Sequence, residues 1–423
     1  MSERIILVWF RNDLRVQDNE ILLEATRKAD KILPVYCFDP HYFPADGVHK
    51  TGNFRARFLL ESVADLRNNL RSLGGELLIA NGNPAEVIPQ LAEQYQVNEV
   101  YHHREVAFEE TNISEEVEAA LWKMKLNLKH FIGHTLYHKE DLPFPIKDIP
   151  DSFNTFKKKV ERDSNVRPSL ATPEVIQTPP IANAGELPTL EQLGLNEPVD
   201  DARGYRFTGG ETIGWQQLTG FFTSGNHAPA KGGRSTASSK LSPWLALGCI
   251  SPRQVYWEIV KHEQNTHNHP LMLELLWRDY FRFMFKKYSR KFFDAEGFKS
   301  EAPELAANQE ELFEQWKAGA TGVPFIDASM HELSATGFIS NISRQAVSYH
   351  LVKTLKVNWT WGAKWFEENL IDYSPASNWG NWAYIAGVGN DPRENRYFNP
   401  KSPAELDPKG EYAKIWLAEQ KVA

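Results

Sequence analysis

The sequence predicts an α/β N-terminal domain followed by an all-α C-terminal domain. Over the first third of the chain, short apolar runs alternate with helical patterns. From about Gly210 onward, apolar residues recur at spacings of three and four, which is typical of helices. Eleven of the 13 tryptophans lie from Trp215 onward, so the two parts also differ in composition. We place the α/β domain at residues 1–135, a linker at 136–205 and the helical domain at 206–423.

The N-terminal domain is expected to contain a mostly parallel, Rossmann-like sheet with helices on both faces. Its predicted strands are Arg4–Phe10, Lys31–Phe38, Glu76–Ala80, Glu99–Glu105 and Asn127–His134. Its predicted helices are Ile21–Ala29, Asn53–Leu73, Pro84–Tyr95 and Ile113–Lys123. There is no G-x-G-x-x-G motif, so a dinucleotide bound in the usual way is not expected here.

Ligands of such sheets bind beyond the carboxyl ends of the strands. The polar residues at those ends are Arg11, Asn12, Asp39, Asn81 and Glu105, and Glu109 follows at the start of the next helix. By position alone, Glu109 is explained by the helix dipole, which favours a carboxylate in the first turn.

The composition excludes several classes of protein. A net charge of -8 argues against a protein that coats nucleic acid non-specifically, although it permits a local basic groove. Cys37 and Cys249 are the only cysteines, which excludes a disulfide framework and a cysteine-based metal site. No apolar run reaches transmembrane length, and the N-terminus lacks a signal-peptide pattern. We therefore expect a cytoplasmic protein with no membrane partner.

Frequent prolines distinguish the linker from the helical domain. Prolines interrupt residues 143–198 and permit only one short helix, near Phe153–Val160. The helices predicted beyond the linker are Gln254–Lys261, Leu271–Tyr288, Gln309–Lys317, Phe325–Thr336, Ser343–Leu355 and Lys364–Leu370.

Two segments of the helical domain combine polar residues in patterns that suit a ligand. Gly232–Ser242 offers glycines, hydroxyl side chains, Arg234 and Lys240 just before a helix, a pattern that suits a diphosphate. A flexible polar loop with an N-cap serine would have the same composition. Ile371–Pro400 places tryptophans and tyrosines among Asn, Asp and Gly, which suits a bound planar ring or, alternatively, an aromatic-rich core.

The helix Leu271–Tyr288 carries Glu274, Trp277 and Arg278 at spacings of three and four. A basic stripe continues from Arg278 to Lys291. A basic stripe beside an indole and a carboxylate suits a nucleic acid with one base out of the stack, whereas a solvated helix face is the simpler interpretation.

Several motifs resemble the photolyase/cryptochrome family. They are WFRNDLR (Trp9–Arg15) with Asp18 and Asn19, SSKLSPWLALGCISPR (Ser238–Arg253), ELLWRDYFR (Glu274–Arg282), TGVPFIDASMHEL (Thr321–Leu333), SNWGNW (Ser377–Trp382) and VGNDPRENRYFNP (Val388–Pro400). They occur in order over nearly the whole chain, which makes the resemblance specific. Lys240, Tyr384 and the segment GVGNDPRENRYF most resemble the cryptochrome DASH branch.

The resemblance implies FAD in the helical domain. Asn378 would face the flavin N5 position, and Arg344 and Asp372 would pair beside the ring, where a guanidinium stabilises the anionic reduced flavin. The loop expected to hold FAD consists of Ser238, Ser239, Lys240, Leu241 and Ser242. Glu109 matches the region where the family binds an antenna such as methenyltetrahydrofolate.

The resemblance also implies a pocket for a pyrimidine dimer in DNA. Glu274 would donate to or orient a thymine carbonyl, and Trp277 would supply a stacking face worth roughly 1–3 kcal/mol. The residues that match this DNA-binding pocket are Glu274, Trp277, Arg278, Asn341, Gln345 and Tyr384.

Three positions depart from the family pattern. The family's relay of three tryptophans matches Trp382 and Trp359, but Ala306 stands at the outermost position. Candidates to replace it are Trp316, Trp361 and Tyr373. Ile342 stands where an arginine usually contacts DNA phosphate, which should weaken DNA binding and its salt dependence. Ser374 replaces a usual aspartate near the flavin.

These features lead to two functional hypotheses. The first is a monomeric blue-light-driven lyase that splits cyclobutane pyrimidine dimers, preferentially in single-stranded DNA. The second is a blue-light signalling photoreceptor with little or no repair. The short segment beyond Tyr412 is expected to favour the first.

Overall fold

The N-terminal part folds around a five-stranded parallel sheet. The computed structural model describes residues 3–43, 50–224, 238–263, 266, 269–298, 304–391 and 401–418. The strand order is β3-β2-β1-β4-β5, and every neighbouring pair is parallel. The strands are β1 (Ile5–Phe10), β2 (Lys31–Phe38), β3 (Leu78–Asn81), β4 (Glu99–His103) and β5 (Leu128–Phe131). The predicted α/β fold is confirmed.

The central strand explains why helices must cover both faces of the sheet. All six residues of β1 are buried, and alternate residues belong to two different cores. Ile6 and Val8 pack on one face, while Leu7 and Trp9 pack on the other. Such a strand is stable only when helices shield it from water on both sides.

Four helices provide this cover. Asn19 caps α1 by accepting a hydrogen bond from the Leu22 amide, and Asn83 caps α3 in the same way from Ala85. The helices are α1 (Glu20–Lys28) and α2 (Asn53–Ser72) on one face, with α3 (Pro84–Gln94) and α4 (Phe108–Lys123) on the other.

The segment predicted as a linker contributes to the core. It contains α5 (Phe153–Asp163), which extends beyond the predicted short helix. Phe153, Phe156 and Val160 are buried, and Phe153 stacks on Trp277 with ring centroids 3.6 Å apart. Part of this segment therefore packs into the helical domain, although it was expected to cross the surface.

The C-terminal part is helical, with no strand among the residues described there. Its first helices are α6 (Glu211–Thr223), α7 (Ser242–Ala246), α8 (Pro252–His262), α9 (Pro270–Tyr288), α10 (Gln309–Lys317) and α11 (Pro324–Thr336). The remaining helices are α12 (Asn341–Tyr349), α13 (Trp359–Asn369), α14 (Pro375–Ala386), α15 (Pro403–Leu406) and α16 (Glu411–Leu417).

Two helix boundaries differ from the prediction because of local capping. Asn358 caps α13 through the Thr360 amide, so the helix begins five residues before Lys364 and includes Trp359. Ser340 caps α12 through the Ser343 amide. The predicted helix Ser343–Leu355 continues beyond α12 as a π-helical turn at His350–Thr354.

Side chains of the helical domain satisfy backbone groups of the N-terminal domain and of the segment that follows it. Glu211 at the start of α6 accepts hydrogen bonds from the amides of Val16 and Gln17 at 2.8 and 2.9 Å. Asp279 on α9 accepts from the amides of Leu136 and Tyr137, both at 2.9 Å. The two domains are thus joined by buried polar contacts.

Among the described residues, no helix has both the length and the apolar character needed to span a membrane.

Candidate functional site

Helix α12, the segment between α13 and α14, and helix α14 carry in turn a guanidinium, a carboxylate and an amide. Arg344 on α12 donates to Asp372, with Nη2 and Oδ2 2.8 Å apart, and its Nε donates to the Ile339 carbonyl. The other Asp372 oxygen is buried and has no hydrogen-bond partner among the described residues. A buried acceptor without a partner costs free energy, so this oxygen is suited to bind a ligand or water.

The amide of Asn378 is held in a fixed orientation. Asn378 lies on α14, is buried, and donates from Nδ2 to the Ala363 carbonyl on α13 at 2.9 Å. The two helices approach closely at Gly362, where an added Cβ would lie 2.3 Å from the Trp382 ring. Trp382 is buried, and its indole nitrogen has no hydrogen-bond partner among the described residues.

Of the predicted anion-binding loop, the structure describes only the residues from Ser238 onward. Lys240 has a positive φ of 55°, and its ammonium group lies 4.4 Å from the Tyr205 ring centroid. Burial lowers the pKa of Lys240. The Ser239 carbonyl accepts from Gln217, and the hydroxyls of Ser238 and Ser239 accept from the amides of Lys240 and Leu241, while Ser242 begins α7. Arg234 and the hydroxyl residues before Ser238 lie outside the described residues, as does Tyr397.

A second group of side chains faces solvent on α9 and α14. Trp277 on α9 contacts Tyr384 on α14 edge to face, with ring centroids 5.9 Å apart. Glu274, one turn before Trp277, is exposed to solvent, yet burial raises the pKa of its carboxyl. A carboxyl that lines a concave surface shows this combination, because water reaches it while protein surrounds it. On α12, which packs against α14, Asn341 is exposed and Gln345 is half-buried.

Phe153 is a neighbour of this group that the sequence did not predict. Its ring covers one face of Trp277 at an interplanar angle of 8°. Only the opposite face and the edges of the indole are therefore available to a base. No motif indicated this contact, because Phe153 lies 124 positions before Trp277, in the segment predicted to be a linker.

The prediction of a basic stripe on α9 is wrong for its first two residues, Arg278 and Arg282. Arg278 donates to the carbonyls of His134 and Leu245, and Arg282 is buried and pairs with Glu105 at 2.8 Å. Burial lowers the pKa of Arg278 to about 9. Both guanidinium groups thus bind the interior of the protein, which contradicts the expected contact of Arg278 with DNA.

The buried tryptophans form two ring contacts near the site. Trp382 contacts Trp316 with centroids 6.3 Å apart, and Trp359 contacts Trp379 with centroids 5.7 Å apart. Both pairs are close to edge-to-face, at 74° and 77°. Sequence analysis did not connect Trp379 to the relay, although its spacing of three from Trp382 places both on one side of α14.

A separate cavity of about 640 Å³ lies at the carboxyl ends of the strands. Both domains contribute to its wall. From the N-terminal domain its lining includes Arg11, Asn12, Asp39, Glu105, Glu109 and Glu110, which agrees with the expected position of a ligand site. Asn81 is not among the lining residues. From the helical domain the lining includes Arg282, Arg290, Glu367, Tyr373, Ser374 and Trp379.

Glu109 is held ionised at the rim of this cavity. His41 lies 3.2 Å from its carboxylate, and Lys50 pairs with the same oxygen. The hydrogen bond from His41, followed by the contact with Lys50, lowers the pKa of Glu109 to about 2. Deeper in the cavity, burial and the nearby Glu105 charge raise the pKa of Glu110 to about 8. The cavity therefore presents an ionised and a protonated carboxyl at neutral pH.

Comparison with known proteins assigns this arrangement to a family. A model described as DNA photolyase matches residues 6–177, and one described as the FAD binding domain of DNA photolyase matches residues 271–422. The chain belongs to the photolyase/cryptochrome family. Membership of the family establishes FAD as its cofactor. The Arg344 guanidinium, and the Asp372 oxygen that has no hydrogen-bond partner among the described residues, fit the polar edge of the flavin ring.

Relatives named cryptochrome DASH match this photolyase/cryptochrome chain over nearly its full length. The protein from Gloeobacter violaceus is 45% identical, over 99% of this chain and 86% of its own length. The protein from Danio rerio is 42% identical, over 99% of this chain and 84% of its own length.

Solved structures of the photolyase/cryptochrome family agree with the fold. The Synechocystis cryptochrome superposes with a TM-score of 0.90 at 41% identity, covering 99% of this chain and 89% of that one. An archaeal photolyase from Sulfolobus tokodaii, solved with two FAD molecules, gives a TM-score of 0.80 at 26% identity, covering 99% and 91%.

Proposed function

We propose that this protein uses blue light to split cyclobutane pyrimidine dimers in DNA, preferentially in single strands. The observation that carries this proposal is the surface group of exposed Glu274 and half-buried Trp277 and Tyr384, in which Tyr384 shares α14 with Asn378. An exposed carboxyl of raised pKa beside an indole suits recognition of a base taken out of the stack.

Each residue of this group has a role that follows from its chemistry. A carboxyl of raised pKa keeps its proton more readily, so Glu274 donates a hydrogen bond to a pyrimidine carbonyl. Trp277 has one face free of Phe153 and stacks against a base there, while Tyr384 closes one edge. Asn341 and Gln345 supply amides from the side of α12.

Bound FAD supplies the absorption of light and the electron that opens the dimer. The chain orients this cofactor. Asp372 would hold the Arg344 guanidinium beside the ring, and the neutral amide of Asn378 would face the N5 edge without removing the N5 proton. The loop from Ser238 to Ser242 binds the diphosphate through hydroxyls, amides and Lys240.

The preference for single strands is supported by Ile342. Its side chain is 56% exposed beside Asn341. An apolar side chain makes no favourable electrostatic contact with a DNA phosphate. Binding at this surface therefore offsets less of the few kcal/mol needed to unpair a base from a duplex.

The cavity at the sheet edge is the proposed antenna site. A pterin or folate such as methenyltetrahydrofolate offers amino and amide groups that Glu109 and Glu110 bind as acceptor and donor. The structure from Sulfolobus tokodaii is described as implicating a novel light-harvesting cofactor.

We further propose a monomer in a reducing, cytoplasmic compartment, since both cysteines are free and buried.

The test is light-dependent repair of a single thymine dimer in matched single- and double-stranded oligonucleotides. We expect repair of the single strand at a higher rate than of the duplex. Glu274→Ala should reduce repair about 10–100-fold, because a hydrogen bond to a charged or buried group contributes about 1.5–3 kcal/mol. FAD content should stay unchanged.

The control is Leu273→Ala, which removes an exposed side chain next to Glu274 on the same helix. It should leave repair close to wild type. Equal loss of FAD and repair in Glu274→Ala would make Glu274 a cofactor or folding residue. Absence of repair in the wild-type protein with reduced FAD would favour the signalling photoreceptor.

A further inference from the structure

Tyr373 connects the aromatic residues near Trp382 to the cavity at the sheet edge. Its hydroxyl oxygen accepts a hydrogen bond from Trp379 Nε1 at 3.2 Å. Tyr373, Trp379 and Glu367 all line the cavity. Because the indole already occupies one lone pair of the hydroxyl oxygen, the hydroxyl hydrogen is free to point elsewhere.

Neighbouring tryptophans lie between Trp382 and this hydroxyl. Trp379 and Trp382 are three residues apart on α14 and therefore neighbours on its surface. Trp359 on α13 contacts Trp379 at 5.7 Å, so the predicted relay residue also leads to Trp379. Both routes meet at the indole that is hydrogen-bonded to Tyr373.

A proton acceptor faces Tyr373. Oxidation of a phenol at neutral pH releases a proton as well as an electron, so a stable tyrosyl radical needs a base nearby. The carboxyl of Glu367 interacts with the Tyr373 hydroxyl, and burial raises the pKa of Glu367 although Lys50 and Arg55 act in the opposite direction. Its carboxylate is therefore a stronger base than that of an exposed glutamate. Arg55 also lies over the Tyr373 ring, with its guanidinium carbon 4.9 Å from the centroid. The charge of Glu109 also acts on Glu367 and raises its pKa.

We propose that Tyr373 is the outer end of the electron relay, with Glu367 as its proton acceptor. When Trp382 has given an electron to the photoexcited flavin, an electron passes from Trp379 to Trp382, directly or through Trp359. Tyr373 then gives an electron to the Trp379 radical cation and its hydroxyl proton to the Glu367 carboxylate. A thiol reductant entering the cavity restores Tyr373. This path ends in the cavity, away from the position of Ala306.

Trp316 is the competing branch, and its surroundings favour it less. It contacts Trp382, but it is fully buried and its Nε1 donates to the Val347 carbonyl. Its other ring neighbours are Phe313 and Phe366, which are harder to oxidise than tryptophan. A backbone carbonyl is a poor base and does not take the indole proton of an oxidised Trp316. The positive charge on Trp316 therefore returns to Trp382.

Time-resolved EPR and transient absorption of the FAD-loaded protein after a flash test this proposal. The wild type should form a tyrosyl radical, and ring-deuterated tyrosine should narrow its hyperfine pattern. Tyr373→Phe and Trp379→Phe should both lose this radical, leaving a shorter-lived tryptophanyl signal. Glu367→Gln should also lose it, because an amide does not accept the proton.

The matched control is Tyr36→Phe, which removes a phenol from the same cavity. It should keep the tyrosyl radical, and FAD content should be compared across all variants. A wild type that shows only tryptophanyl radicals, or a tyrosyl radical that persists in Tyr373→Phe, would overturn the proposal. This inference rests on the photochemical part of the proposed function. It does not depend on DNA, so a failure of dimer repair leaves the radical assay interpretable.

Discussion

Two carboxyl groups on open surfaces of this protein have opposite pKa shifts. The surrounding protein raises the pKa of the Glu274 carboxyl, whereas His41 and Lys50 hold the pKa of Glu109 near 2. Under the proposed function, the same residue type serves as a donor beside Trp277 and as an acceptor at the cavity. The difference comes from neighbouring cations and not from the depth of burial alone.

The low pKa of Glu109 predicts an acid-sensitive contribution to stability. A carboxyl whose pKa falls from 4.5 to about 2 on folding stabilises the protein above pH 4.5, and this contribution is lost as the pH falls towards 2. Glu109→Gln should lower Tm by about 1–2 °C near neutral pH, since the pair is half exposed. The difference from wild type should shrink at acid pH.

Thermal unfolding over a pH series measures this effect. Glu115→Gln, at an exposed position of the same helix, is the control. A Tm difference that stays constant with pH would contradict the assigned shift.

Residues in motifs were easier to predict than residues that meet across the fold. The Arg344 and Asp372 pair followed from the family resemblance, and the structure contains it at 2.8 Å. The sequence did not predict where the Arg278 side chain points. Helical spacing shows which residues share one face of a helix, but not which other segments pack against that face. The carbonyls of His134 and Leu245, which bind its guanidinium, are distant in sequence.

A glycine of α13 lies against the Trp382 ring of α14. An added methyl group at Gly362 would lie 2.3 Å from Trp382 and 2.6 Å from Leu351. The absence of a side chain therefore determines where the indole lies. Sequence analysis identified Trp382 but not this support, because a glycine within a helix gives no sign of the ring that packs on it.

Gly362→Ala should displace Trp382 and destabilise the protein. Overpacking of this kind costs about 1–3 kcal/mol, and movement of the indole should also slow flavin photoreduction. Urea unfolding and the rate of light-driven reduction with an external thiol measure the two effects.

Gly220→Ala on α6 is the matched control, because nothing lies within 4 Å of the added Cβ. It should stabilise the helix by about 0.5–1 kcal/mol and leave photoreduction unchanged. Normal photoreduction in Gly362→Ala would show that Trp382 tolerates the displacement.

The two domains share a buried ion pair between Glu105 after β4 and Arg282 on α9. Burial opposes ionisation of Glu105, but His134 and the guanidinium groups of Arg282 and Arg11 outweigh it and lower its pKa. Asn12 also donates to the same carboxylate at 3.0 Å. The sequence predicted both domains and the polar strand ends. It did not predict this pairing, since 177 residues separate the partners.

Glu105→Gln should destabilise the FAD-loaded protein by about 3–5 kcal/mol, because it leaves the Arg282 cation buried without its partner. The free energy of urea unfolding measures this loss. Glu24→Gln removes a surface pair with Lys28 and should change it by less than about 1 kcal/mol. Similar small effects of both variants would show that water or another group compensates Arg282.

The shared wall of the 640 Å³ cavity links ligand occupancy to the docking of the two domains. A molecule bound there touches both domains at once, so it binds the docked arrangement and not the separated domains. By mass action, a ligand at 100 times its Kd would favour docking by about 2.7 kcal/mol. A light-harvesting molecule would then act as a clamp, and its loss would loosen the contact between the domains before either one unfolds.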